Sequence, residues 1–412
     1  MTGGDTEGRF TAREREVLGV ICFGHFLSHF YILALPPLFL LWQRGFHASY
    51  AELGLTVAAM SAVTAILQTP VGYLVDRHGP RRFLVGGVAL MAAGIALMGF
   101  AHQLWQVLAL AALSGVGNAV IHPVDYAVLT SAIAPRRIGR GFGLHIFAGN
   151  LGFAAGPPVV AALAGGVGWR AGLLLAGSLG VGLALVLMRA SRILPAATHA
   201  PHPLAGGVAP VLSGRALLLS APILMFLGFY TVTTMAAAGL QAWMVTVLHQ
   251  THGMALDLAA SALTLFTLGV AAGVLAGGWI ADHTPNRGRA TAALLVAAAG
   301  VILFLGLAPL PRAAIFALLL LAGLLLGASR TPRDVLVKEA APPGQMGKVF
   351  GFVSAGLPLG QALTPAPFGF LIDAGRPTLV FVLAAALLVG SLALLGATAL
   401  FAARPRPALA AE

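Results

Sequence analysis

The sequence predicts an all-α integral membrane protein, with twelve transmembrane helices in two pseudo-symmetric halves of six. Three observations predict it. First, 58% of residues are hydrophobic and only 9% charged, and the mean hydropathy is +0.91; a soluble domain carries more charge than this. Second, a span takes about 20 mostly apolar residues, so 412 residues hold a dozen spans with short loops and no sizeable soluble domain. Third, residue patterns recur at nearly one offset between the two halves of the chain.

The elements follow in order from where charges, prolines and glycines interrupt the apolar runs. Residues 1–16 carry Asp5, Glu7, Arg9, Arg13, Glu14, Arg15 and Glu16 and no signal-peptide core, so they read as a cytoplasmic tail, the first span serving as insertion signal. Spans are expected at 17–42, 51–75, 83–101, 104–132, 141–165 and 169–190, making an N-terminal half over 17–190. Residues 191–217, rich in Pro, Ala and Gly, read as a flexible cytoplasmic linker. A C-terminal half over 218–402 follows, with spans at 218–247, 256–281, 290–309, 313–339, 348–373 and 377–402, then a cytoplasmic tail, 403–412.

Charge placement orients the chain. With both ends inside, cytoplasmic segments collect 18 of the 24 basic residues, and outer loops hold only Arg44, Arg170, Arg312 and Arg376. This is the positive-inside bias of a plasma (inner) membrane protein with an even number of spans. The net charge of +11 therefore follows the loops, and its partner is the lipid bilayer rather than nucleic acid.

The repeat is read directly. Gly143, Gly152 and Gly156-Pro157 recur as Gly351, Gly360 and Thr364-Pro365, 208 residues on; Gly72 and Asp76 recur as Gly278 and Asp282, 206 residues on. Such a repeat places a site at the interface of two halves that rock against each other.

Ionisable groups at membrane depth are costly and are functional candidates by default. Only Asp125, Asp334, Arg330 and Arg333 lie well inside spans. His122 and Asp125 share a helix face, as do Arg330, Arg333 and Asp334. The offset of 208 sets His122 opposite Arg330 and Asp125 opposite Arg333. The arginines offer planar donor forks for a small anion, most simply a carboxylate. Asp125 is the expected proton carrier, with His122 and Asp334 sharing that role. The competing reading is that Asp334 neutralises one of the arginines as a structural ion pair. His25 and His29, four apart and on one face, join His122 and Tyr126 as candidate substrate contacts, with His145 weaker. The aromatic residues Phe30, Tyr31, Phe229, Tyr230 and Trp243 suit either a cavity wall or plain packing. The lone Cys22 and the lack of Cys/His ligand spacing, of HExxH and of paired protease aspartates predict no metal, no cofactor and no enzyme. The expected energy source is a proton gradient.

The loop GYLVDRHGPRRFL, Gly72 to Leu84, resembles the signature loop of the major facilitator superfamily, with Pro80 where a basic residue is usual. The resemblance implies the major facilitator fold, alternating access, and conformational latching by Gly72, Asp76, Arg77, Gly79 and Arg81, with Asp282 at the repeat position. Gly143, Gly152, Gly156 and Pro157 resemble a motif associated with antiporters, although Val160 and Ala161 replace its trailing glycines; a packing seam with a proline kink accounts for the same residues. The runs around GVGNAVIHPVDYAVL, LFTLGVAAGVLAGGWIAD and GQMGKVFGF resemble fosmidomycin-resistance-type efflux proteins. Those proteins carry an acidic residue where Val124 stands, and another near the position of His29. The resemblance implies a proton-coupled transporter of a small organic anion or amphiphilic compound, exporting by antiport, and monomeric by default. Import of a small carboxylate by proton symport is the alternative that the intramembrane arginines favour. A sensor that binds without transporting ranks lower, since nothing in the sequence reads as a signalling domain.

Overall fold

The computed structural model describes residues 9–134, 137–194, 214–342 and 346–402. The start of the expected N-terminal tail, the bulk of the linker and the C-terminal tail lie outside the described residues, as do the side chains of Asp76 and Lys348.

The described residues form α-helices and two 3-10 turns, with no strand. In the first half these are α1 (Ala12–Ile32), α2 (Phe39–Phe46), α3 (Tyr50–His78), α4 (Pro80–Met98), α5 (Leu104–Asn118), α6 (Ile121–Ala132), α7 (Ile138–Val167) and α8 (Trp169–Ala190). After the short α9 (Gly214–Leu218) come α10 (Ala221–His252), α11 (Leu256–His283), α12 (Arg287–Leu307), α13 (Arg312–Ala340), α14 (Met346–Ser354), α15 (Gly356–Leu363), α16 (Pro365–Asp373) and α17 (Leu379–Ala402). Eleven helical runs among the described residues are long and apolar enough to cross a membrane.

The expected eleventh span is the one these runs leave out, because it is built from α14, α15 and α16 in succession. Pro358, Pro365 and Pro367 remove backbone donors along it. Thr364 returns one bond, its hydroxyl donating to the Gly360 carbonyl at 2.6 Å. The repeat-related α7 keeps Pro157 and Pro158 inside one continuous helix. The fourth span also breaks, between α5 and α6, where Pro123 has no N–H to return to the carbonyl of Ala119. The first helix begins at Ala12, five residues earlier than expected, because Thr11 and Glu14 form a reciprocal capping box. Glu14 then accepts from buried Arg137 at 3.0 Å and from the Ala134 amide at 3.0 Å, tying the start of α1 to the α6–α7 turn.

Glycine seams bring helices to backbone contact. A Cβ on Gly152 would lie 2.2 Å from the Phe26 carbonyl, and one on Gly156 2.6 Å from that of Phe30, so α7 and α1 touch without side chains between them. Gly356 and Gly360 of α15 meet Leu227 and Thr231 of α10 in the same way, the repeat expressed as packing. Gly269, Gly273 and Gly277 of α11 interlock with Gly323 and Gly327 of α13.

The halves meet at one end of the bundle. There the Asp373 carboxylate accepts from the amides of Tyr50 and Ala51 at 2.7 and 2.8 Å, capping α3 from the opposite half. Gly54 packs on the Pro365 backbone, Gly369 on that of Tyr50, and Gln250 donates to the Tyr50 hydroxyl at 2.9 Å. Deeper in, Thr264 of α11 donates to the Ala154 carbonyl at 3.0 Å, the one that Pro158 leaves without its helical donor.

At the other end, the hydrogen bonds among the described residues stay within each half. Arg81 donates to Ser191 and to the Met188 carbonyl at the end of α8, and Arg287 pairs with Glu339 at 2.9 Å. Gly79 takes φ +83° at the α3–α4 turn. Arg77 and Asp282 are exposed. The Cβ position of Gly72 lies an ordinary 3.9 Å from Pro123, and that of Gly143 has nothing within 4 Å, so neither makes a close helix approach.

Candidate functional site

The broken helices converge on the middle of the bundle. Asn118, the last residue of α5, accepts from Ser28 of α1 at 2.6 Å and donates to Thr64 of α3 at 3.2 Å, which fixes the joint from which α6 starts. From that joint α6 presents His122, Asp125 and Tyr126. Helix α1 presents His25 and His29 across the glycine seam, and α7 presents His145.

Four imidazoles stack there. His25 lies parallel to His145 with ring centroids 3.8 Å apart, edge-on to His29 at 4.2 Å and to His122 at 5.2 Å. Phe153 stacks on His29 at 4.1 Å. Gly149 leaves the room: a Cβ there would sit 2.7 Å from both His25 and His29. Buried Asp125 pairs with His145, Oδ2 to Nε2 at 2.7 Å. The sequence reading gave Asp125 the neighbour on its own helix, His122, as proton partner; the fold gives it His145, twenty residues away on α7. The only sequence signal for His145 is its place one helical turn before the seam residue Gly149.

The second half answers with α13. The Arg333 guanidinium lies 3.8 Å over the Tyr230 ring and donates to Asp334, Nε to Oδ1 at 2.9 Å; the Tyr230 hydroxyl donates to the same oxygen. Arg333 is thus engaged by Asp334, the ion pair weighed as the competing reading. Arg330 is not: it is half-buried and makes no hydrogen bond or ion pair among the described residues. It lies within electrostatic range of His29, and Tyr126 lies within range of both Asp125 and Asp334, so the two clusters face each other across the halves. Tyr126 is 42% exposed beside wholly buried Asp125. The arrangement supplies a free guanidinium, a buried carboxylate with a histidine partner, and imidazole nitrogens between them.

Comparison with known proteins agrees with this architecture. The family model of the Major Facilitator Superfamily matches residues 21–351. The membrane sensor protein UhpC of Salmonella typhimurium is 29% identical over 273 residues, 62% of this chain, and the chain covers 61% of that protein's length. The fosmidomycin resistance protein of Escherichia coli is 28% identical over 283 residues, 66% of each chain, in keeping with the resemblance read from the sequence. Among solved structures, a bacterial homolog of the human lysosomal transporter Spinster, inward-facing and occupied, superposes with a TM-score of 0.81 at 16% identity, covering 97% of this chain and 100% of that one. The chain is an all-α, multi-pass membrane protein and belongs to the Major Facilitator Superfamily.

Proposed function

We propose that the protein is a secondary active, proton-coupled transporter of a small organic anion, working by alternating access. The observation that carries this reading is the unpaired guanidinium of Arg330 at membrane depth. A cation there costs about 2.5–3.5 kcal/mol even on insertion scales, and an anionic ligand is what offsets it. Arg333, held by Asp334 and Tyr230, fixes the floor of the site and is released to a ligand only if that ion pair opens. Asp125 with His145 is the exchangeable proton pair on the opposite wall.

The positive-inside bias supports placing the end capped by Asp373 outside, and the end at which the halves share no hydrogen bond among the described residues toward the cytoplasm. Export by antiport is the favoured direction, supported by the fosmidomycin resistance relative. Proton symport of a small carboxylate is the second reading, favoured by the free arginine. The test is flux in proteoliposomes under an imposed pH gradient, starting with simple carboxylates. Antiport predicts accumulation on the side from which protons leave; accumulation on the side toward which they flow establishes symport. Saturable binding with no flux in either direction would leave a sensor, the role named for the UhpC relatives.

A further inference from the structure

We propose that His25, His29 and His122 form a binding site for a divalent first-row transition-metal ion of the Zn2+, Co2+ or Ni2+ type. One ligand nitrogen from each of the three lies within 4.8 Å of the others. Zn–N bonds of about 2.0–2.1 Å set ligand nitrogens roughly 3.4 Å apart in a tetrahedral site, a difference that small rotations of the imidazoles close.

The tautomer of His25 is set from outside the cluster. Its Nδ1 lies 2.9 Å from the His145 carbonyl, which can only accept, so Nδ1 carries the hydrogen and Nε2 carries a bare lone pair. That Nε2 is buried without a partner, as are Nδ1 of His29 and Nδ1 of His122. Unpartnered, buried ring nitrogens on three imidazoles that bring one ligand nitrogen each within 4.8 Å of the others are costly unless something binds among them. A ring N–H donated to a backbone carbonyl is also the usual outer-shell support of a metal-bound histidine.

His25 and His29 stand four apart on α1, the spacing at which one helix face offers two imidazoles to one ion. His122 enters from α6, and the first-half cluster brings its negative charge through Asp125, bound to His145 against the His25 ring. Three neutral imidazoles suit a borderline cation and not Mg2+ or Ca2+, which take oxygen. Only the pair on α1 is visible in the sequence, since the third ligand is 93 residues from His29 and stands on α6, beyond the break before Pro123. The site stands on the imidazoles alone, whether or not Arg330 takes an anion.

The test uses the full-length protein, purified with a tag free of histidine and titrated with Co2+. Stoichiometric growth of intense visible d–d bands, displaced by Zn2+ and not by Mg2+, is the expected result. His29→Gln or His122→Gln should each weaken Co2+ binding about tenfold or more, the scale on which ligand-shell changes act. His283→Gln, at an exposed ring beside Trp279, should leave it unchanged. Absence of the bands, or binding lost with His283 and kept without His29 and His122, overturns the proposal. Should a histidine variant fail to fold, the spectrum of the unaltered protein still decides.

Discussion

At the scale of single residues, the two arginines of α13 separate by partner. Arg330 makes no hydrogen bond or contact ion pair among the described residues and feels the Asp334 charge only at a distance, and Arg333 shares Asp334 with Tyr230. The substitutions should separate likewise. Arg330→Ala removes a charged donor that only a ligand would use, so carboxylate affinity should fall about 10- to 100-fold, from the 1.5–3 kcal/mol of a charged hydrogen bond, with thermal unfolding unmoved. Arg333→Ala strands Asp334, whose side chain is 35% exposed, and should lower the unfolding midpoint first, at a cost below the roughly 3–5 kcal/mol of a fully buried pair because solvent screens this one. Equal effects on binding, measured by ligand-induced thermal shift, would remove the special place of Arg330. Asp125→Asn keeps the hydrogen bond to His145 and deletes the charge. Flux in that variant should persist down a substrate gradient and no longer respond to an imposed pH gradient; a full response would place the proton elsewhere.

At the scale of elements, glycines of one motif have different work. Gly152 has the Phe26 carbonyl 2.2 Å from where a Cβ would stand, and Gly143 has open space. Gly152→Val must part α7 from α1, moving the seam that holds His25 and His29 against Gly149; a destabilisation of about 1–3 kcal/mol is expected from overpacking. Gly143→Ala should stay within about 0.5 kcal/mol. Thermal unfolding in detergent reads both, and equal losses would mean that the seam does not set stability. The same span in the second half has its continuity broken into α14, α15 and α16, although its glycines recur at the same spacing. The prolines explain the breaks, and Thr364 shows how the freed carbonyls are answered locally.

At the scale of the molecule, the halves join at one end through few polar contacts, of which the Asp373 cap on α3 is the most directional. A helix N-terminus offers unpaired amides and a positive dipole end, so the carboxylate holds this end shut while it stays within reach. Asp373→Ala removes a cap worth about 0.5–2 kcal/mol. The population open at this end should rise about 2- to 30-fold, on the factor of ten per 1.4 kcal/mol. Accessibility of an engineered cysteine near Tyr50 would report it; no increase would show that the glycine contacts at Gly54 and Gly369 close this end unaided.

Composition, hydropathy and the 208-residue repeat determined that this chain is a bundle of membrane helices in two halves, because bilayer thickness and backbone hydrogen bonding leave a sequence so apolar few alternatives. The turn at Gly79 was likewise legible, since it depends on neighbours close in sequence; the partners of Arg81, Met188 and Ser191, stand 107 and 110 residues away and were not. The charge at depth was legible too, because an ionisable residue in an apolar run is conspicuous. Which charge is free was not: Tyr230, on another helix, and Asp334 hold Arg333, and only packing decides that Arg330 is left without a partner. Nor was the histidine cluster. His25, His29, His122 and His145 come from three helices, and their meeting depends on a glycine seam, a proline break and the Asn118 joint acting together in three dimensions.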